Sequence, residues 1–148
     1  MNNGCPSRNN TSNDEIKLLL EKIVAMQKEA VRGEIAEEMC DGFLGNNNDL
    51  CKFKCNTRPL QVYTDDDHPW SAPIERDEDG CNNPEKSCVL RVEKVEDGVA
   101  VFRALKVCAE AENDHERFKS TDSFITIKLG CICAIRCMKD TFVDLCIR

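Results

Sequence analysis

The residues of this chain best equipped for chemistry are its cysteines, 11 among 148, at positions 5, 40, 51, 55, 81, 88, 108, 131, 133, 137 and 146. A thiol can ligate metal, exchange disulfides, attack as a nucleophile or simply pack as a small apolar group. Each use needs company that spacing can reveal. Zinc ribbons and thioredoxin-like sites rely on Cys-x-x-Cys, which sets two sulfurs around one ion or in one exchangeable bond. The chain has no such pair. The looser runs Cys51-x₃-Cys55 and Cys131-x-Cys133-x₃-Cys137 leave one alternative, a metal-binding or redox-sensing module using Cys131, Cys133 and Cys137 with Cys51 or Cys55. A nucleophilic cysteine needs an activating base. The two histidines, His68 and His115, both sit in charged, loop-like sequence, and no Gly-x-Ser-x-Gly, P-loop or Gly-x-Gly-x-x-Gly occurs. No catalytic, cofactor-binding or metal residue is assigned, and the chain reads as a non-enzyme without a cofactor.

Parity narrows the remaining uses. Eleven is odd, so complete pairing within one chain is impossible and at least one sulfur is left for another molecule or stays a thiol. Cys5, Cys40, Cys51, Cys55 and Cys146 lie outside predicted strand centres, where a bridge to a neighbouring chain bends no core; they are the cross-link candidates. Cys108 ends an apolar strand and reads as a buried thiol. Cys81, Cys88, Cys131, Cys133 and Cys137 have partners that spacing alone leaves open.

Charge excludes further classes. Twenty basic against 27 acidic side chains give −7, a balance that repels phosphate backbones and anionic lipid, so neither nucleic acid nor membrane is an expected partner. The acidity concentrates between residues 58 and 85, in Asp65-Asp66-Asp67 and Glu75-Arg76-Asp77-Glu78-Asp79. The start, MNNGCPSRNNTSNDE, lacks the apolar stretch of a secretory signal. Thiols in a chain expected to be made in a reducing compartment imply metal, redox chemistry or later oxidation.

The elements that must position these cysteines can be read from periodicity. Residues 1–12 are expected as a disordered arm, and Ser12-Asn13-Asp14-Glu15 reads as a capping box. Ile16, Leu19, Ile23, Met26 and Ala30 then recur at helical spacing, with Leu20, Val24, Val31 and Ile35 widening the stripe, which predicts a helix over 14–38. A Cys-rich connector spans 40–57. Beyond Pro59 the pattern becomes β: Leu60 to Thr64 alternates, and Val89–Glu96 and Val99–Val107 flank Asp97-Gly98, a hairpin signature. From Phe124 to Cys133 a further strand puts Ile125, Ile127, Leu129, Cys131 and Cys133 on one face, and 141–147 reads as a last strand. The expectation is one domain over 13–148, mainly β with an N-terminal helix (α+β). Its β core over 58–148 is expected as an antiparallel sandwich or small barrel packed by the helix.

Three segments together carry a resemblance. Asn56-Thr57-Arg58-Pro59 leads into the strand ending Val62-Tyr63-Thr64. Cys88 precedes Arg91-Val92-Glu93. Ile125-Thr126-Ile127-Lys128-Leu129-Gly130 runs into Cys131-Ile132-Cys133-Ala134-Ile135-Arg136-Cys137. In this order they resemble the CotY/CotZ/ExsY family of cysteine-rich spore coat and exosporium proteins, over roughly Cys40 to Met138. Phe124 stands where relatives often carry another cysteine, a His-rich tail is missing, and the loop over 65–79 is more acidic than the family's. The resemblance implies a structural protein that assembles with itself, through hexameric rings, into two-dimensional sheets hardened by disulfides between chains, alongside other coat proteins. It implies synthesis in the mother-cell cytoplasm without a signal peptide and residence on the spore surface, in outer coat, crust or exosporium. A second alternative is a coat adaptor that docks partners through the helix at 14–38.

Overall fold

The structure, a computed structural model, describes residues 10–32, 55–65, 67–74, 86–108 and 117–145. Among the described residues one α-helix, α1 (Asn10–Arg32), precedes seven strands: β1 (Leu60–Tyr63), β2 (Ala72–Pro73), β3 (Lys86–Ser87), β4 (Leu90–Glu96), β5 (Val99–Val107), β6 (Phe118–Lys128) and β7 (Ala134–Cys137). The main sheet has the order β6-β5-β4-β1-β7, and β2 and β3 form a separate ribbon. Among the described residues the strands of both sheets pair antiparallel. The chain is thus mainly β with one helix packed on an antiparallel sheet. Among the described residues the sheet is open, with β6 and β7 at its two ends, so the expected sandwich or barrel does not close.

The hairpin forms where the sequence predicts it. Asp97 (φ 52°) and Gly98 (φ 82°) both take left-handed backbone, the conformation a two-residue type I′ turn requires to match the twist of its strands. Leu90, Val92, Ala100, Phe102 and Ala104 face one side and are buried against Leu20, Ile23 and Val24 of α1. Phe102 is fully buried at the centre. A smaller cluster of Val89, Leu105, Phe118 and Val143 lies on the other face toward one end.

The helix departs from its predicted limits and face. It starts at Asn10, so residues 10–12 are helical and Ser12 lies inside the helix instead of capping it. Several capping-type residues follow one another here, and the spacing to Glu15 does not choose among them. The predicted end at 38 falls outside the described residues. The buried stripe is Leu20, Ile23, Val24, Gln27 and Ala30, whereas Leu19 is exposed and Met26 half-buried. Gln27 is the reason: its Nε2 donates to the Val92 carbonyl at 2.9 Å and its Oε1 accepts from the Arg58 amide at 3.0 Å. A polar side chain that satisfies two backbone groups of the sheet can be buried at no net loss.

The C-terminal strands also differ. β6 begins at Phe118 and stops at Lys128, where a 3₁₀ turn over Leu129–Cys131 redirects the chain into β7. Cys131 and Cys133 therefore do not share a strand face. The predicted strand at 141–147 is reduced, among the described residues, to an isolated bridge between Thr57 and Thr141.

Candidate functional site

The three motif segments converge on one end of the sheet. Asn56 and Thr57 both donate their amides to the Thr141 carbonyl at 3.0 Å. The Asn56 side chain clasps Val143, donating from Nδ2 to its carbonyl and accepting its amide on Oδ1, each at 2.9 Å. Arg91 reaches across from β4, donating from Nε to the Thr57 hydroxyl at 2.9 Å and from Nη2 to the Asn56 carbonyl at 3.2 Å. Pro59 has no amide to give to β7, and its carbonyl accepts from Met138 at 2.8 Å. The first two motifs are thus joined by direct hydrogen bonds, and the third is joined to them by the β1–β7 ladder, with Leu60 opposite Cys137 and Tyr63 opposite Ala134.

Charge at this hub is buried and paired. Arg58 donates to Asp140 through Nε at 2.9 Å, and the Asp140 side chain is fully shielded. Burial pushes the Asp140 carboxyl up to about 6, against the opposing pull of Arg58. Cys137 is exposed as a residue, but partial desolvation of its thiol pushes it up, while the Arg58 guanidinium beside it pulls it down and Asp140 adds an upward push. Arg91, only 4% exposed, is held below its ordinary value by burial, with Glu93 acting in the opposite direction. The irregular register between Val92 and Lys94 sets Glu93 between two guanidinium groups: Arg91 and Arg103 each donate to Oε2 at 2.9 Å. Arg103 also lies 4.6 Å over the ring of Phe124, so the phenylalanine that replaces an expected cysteine is held by a cation–π contact.

The cysteines sort into two groups. Cys55, Cys108 and Cys131 are buried and disulfide-bonded. This corrects two expectations: Cys108 is buried but is not a thiol, and Cys55 is engaged in a bond in the single chain. Cys88, Cys133 and Cys137 carry thiols. Cys88 is half-buried and accepts from Gln61 Nε2 at 3.3 Å, whereas Cys133 and Cys137 are exposed. Cys5, Cys40, Cys51, Cys81 and Cys146 lie outside the described residues, as does His115.

This division argues against the metal alternative. Two of its ligands, Cys131 and Cys55, are disulfide sulfurs. Cys133 and Cys137 stand four residues apart in extended chain, about 13 Å along it, too far to share one ion. Among the described residues no three His, Cys, Asp or Glu side chains gather in a metal-holding group. The hub's polar groups are spent on one another and on backbone, an arrangement that fixes geometry. Sequence spacing did not reveal Gln27, Asp140 or Arg103 as members of it.

A family model described as spore coat protein Z matches residues 3–116. The matched span includes the Asn56–Pro59 and Arg91–Glu93 motifs; the Ile125–Cys137 motif lies beyond it. No curated protein and no solved structure matches. Among the described residues, no helix is long and apolar enough to cross a membrane.

Proposed function

Because the chain belongs to the spore coat protein Z family, a family of the spore surface, we propose that it is a structural subunit that assembles with copies of itself into two-dimensional sheets. Rings, hexameric by the resemblance drawn from its motifs, are the intermediate. Disulfides between subunits then harden the sheet, and other coat proteins are its neighbours. Synthesis in the mother-cell cytoplasm would precede oxidation at the spore surface.

The observation that supports this reading is the division of the cysteines. Buried cysteines are already bonded, while Cys133 and Cys137 display thiols at the surface. Inner bonds stabilise the fold by restricting the unfolded chain, and outer thiols are placed to join neighbours. Contacts between folded domains set the geometry first, because thiol–disulfide exchange only joins groups already in close approach.

Electron microscopy combined with non-reducing and reducing gels tests the reading. Ordered sheets, with ladders of covalent oligomers that reductant removes, are expected. Protein that runs as monomer on both gels and forms no sheets contradicts it. The adaptor alternative has one feature in its favour: Leu18 is 63% exposed on α1. Replacing Leu18 and Leu19 by lysine separates the two, since an adaptor then loses its partner while sheet formation persists.

A further inference from the structure

We propose, resting on the assembly reading above, that the buried Asp140 restrains Cys137. By holding the Arg58 guanidinium, the carboxylate withdraws from the Cys137 thiolate the cation beside it. Cys137 therefore bonds to neighbouring chains slowly, after the contacts between them have set.

Backbone pairing brings the three side chains together and fixes the one in the middle. Thr57 and Thr141 exchange main-chain hydrogen bonds at 3.0 and 2.9 Å, and Met138 donates to the Pro59 carbonyl at 2.8 Å. Arg58 is therefore pinned between two anchored neighbours, and its own amide donates to Gln27 of α1 at 3.0 Å. Two residues on, Leu60 lies opposite Cys137 in the β1–β7 ladder. The Arg58 guanidinium donates to Asp140 through Nε at 2.9 Å and Nη2 at 3.5 Å, and it also hydrogen-bonds the Cys137 thiol. The Asp140 side chain is fully shielded and that of Arg58 mostly so. Arg136, next along β7, donates to Gln61 at 3.3 Å and lies on the opposite face of the sheet. The charges acting on the thiol are thus Arg58, from the segment before β1, and Asp140, from the segment after β7.

One cation cannot serve two anions at full strength. A guanidinium alone beside a thiol favours the thiolate, which is the nucleophilic form. With an ionised carboxylate on its other side, the two charges oppose each other at the sulfur, and the desolvation of the thiol prevails. Asp140 titrates at about 6, so at neutral pH it is ionised and the restraint is on. As pH falls through that value the carboxyl takes up its proton, and the cation is returned to Cys137.

The step governed is the first of cross-linking, with a small-molecule disulfide as oxidant. The Cys137 thiolate attacks one of its sulfurs, forms a mixed disulfide and releases one small thiolate. A cysteine thiolate of the neighbouring chain then displaces the second. Two protein thiols are thereby oxidised to one disulfide, and the small disulfide is reduced to two thiols. The two protons pass through solvent to the released thiolates. Only thiolate attacks, so a smaller thiolate fraction slows the first displacement. Slow attack leaves the chains time to reach their contacts before a bond fixes them.

The test is the rate at which dithiodipyridine forms a mixed disulfide with each thiol of the full chain, read by mass spectrometry of acid-quenched, non-reduced peptic peptides. The Cys137 rate is divided by that of Cys133, which cancels the reagent's own pH dependence. In wild type the ratio should rise as pH falls from about 7 to 5, the window in which Asp140 takes up its proton. Asp140→Asn should raise the ratio at pH 7.5 about threefold, since a tenfold gain in thiolate is partly offset by lower nucleophilicity. It should also abolish the rise at low pH. Adding Arg58→Gln to Asp140→Asn leaves no buried charge unpaired and should bring the ratio back to the wild-type value or below. A ratio that stays high in the double variant marks loosened packing and overturns the proposal, as does a flat ratio in wild type. With oxidised glutathione as oxidant, covalent oligomers linked through Cys137 should appear faster in Asp140→Asn than in wild type. Unchanged timing in sheets that still harden overturns the proposal and leaves the assembly reading intact. The expected ratios in protein that forms neither sheets nor covalent oligomers uphold the restraint and overturn the assembly reading.

Discussion

Asp140 is the residue whose chemistry most directly reports the hub. Its carboxyl titrates at about 6 in the folded chain, above the ordinary value near 3.9. The folded state therefore binds this proton more readily than the unfolded state between about pH 4 and 6. The contribution to stability grows as pH falls through that window and is lost as pH rises past 6. Comparing wild type with Asp140→Asn by thermal melting at pH 7.5 and pH 5 should show the difference moving in favour of wild type at the lower pH. An invariant difference would mean that Asp140 is not shielded. Removing the other partner, by Arg58→Ala, leaves a buried carboxylate unpaired and should cost about 3 kcal/mol in denaturant titration at pH 7.5. Little of this pair was legible in the sequence. Arg58 stood out within its motif, but Asp140 lies 82 positions away, just before the run 141–147 that suggested a last strand.

At the scale of elements, periodicity identified the helix and hairpin but missed what polar residues and short turns do. The alternation of Val, Leu and Phe on either side of Asp97-Gly98 is strong because each strand hides one face, and the turn needs positive φ. An alanine at Gly98 would meet no atom within 4 Å, so its cost is backbone strain alone, about 1 kcal/mol by denaturant titration. The helix stripe was misplaced by a fraction of a turn because Gln27 reads as polar. Its hydrogen bonds to the Val92 carbonyl and the Arg58 amide put it inward. Gln27→Leu should therefore cost about 3 kcal/mol despite raising apolarity, since two backbone groups are left unsatisfied; a neutral or stabilising effect would show that water replaces the amide. The break at Leu129 was hidden because Leu129 and Cys131 continue the alternation, and Gly130 was the one residue in the run disposed to turn.

At the scale of the molecule, the family and the mainly β architecture were legible, because the motifs are the residues that knit the sheet end. Cysteine roles were less so: burial and pairing depend on tertiary placement, which moved Cys55 and Cys108 into bonds. The account makes non-covalent contact the cause of assembly and oxidation its consequence. Replacing Cys133 and Cys137, the exposed thiols, with serine should leave ordered oligomers that resist boiling in detergent less than the parent's. Monomeric protein at concentrations where the parent assembles would reverse that order. The most direct test is sedimentation velocity of the unsubstituted 16.7 kDa chain in native buffer containing excess reductant. Oligomers that persist, and dissociate only when heat or denaturant is added, are the predicted result. A single monomer boundary under those native conditions would contradict the account.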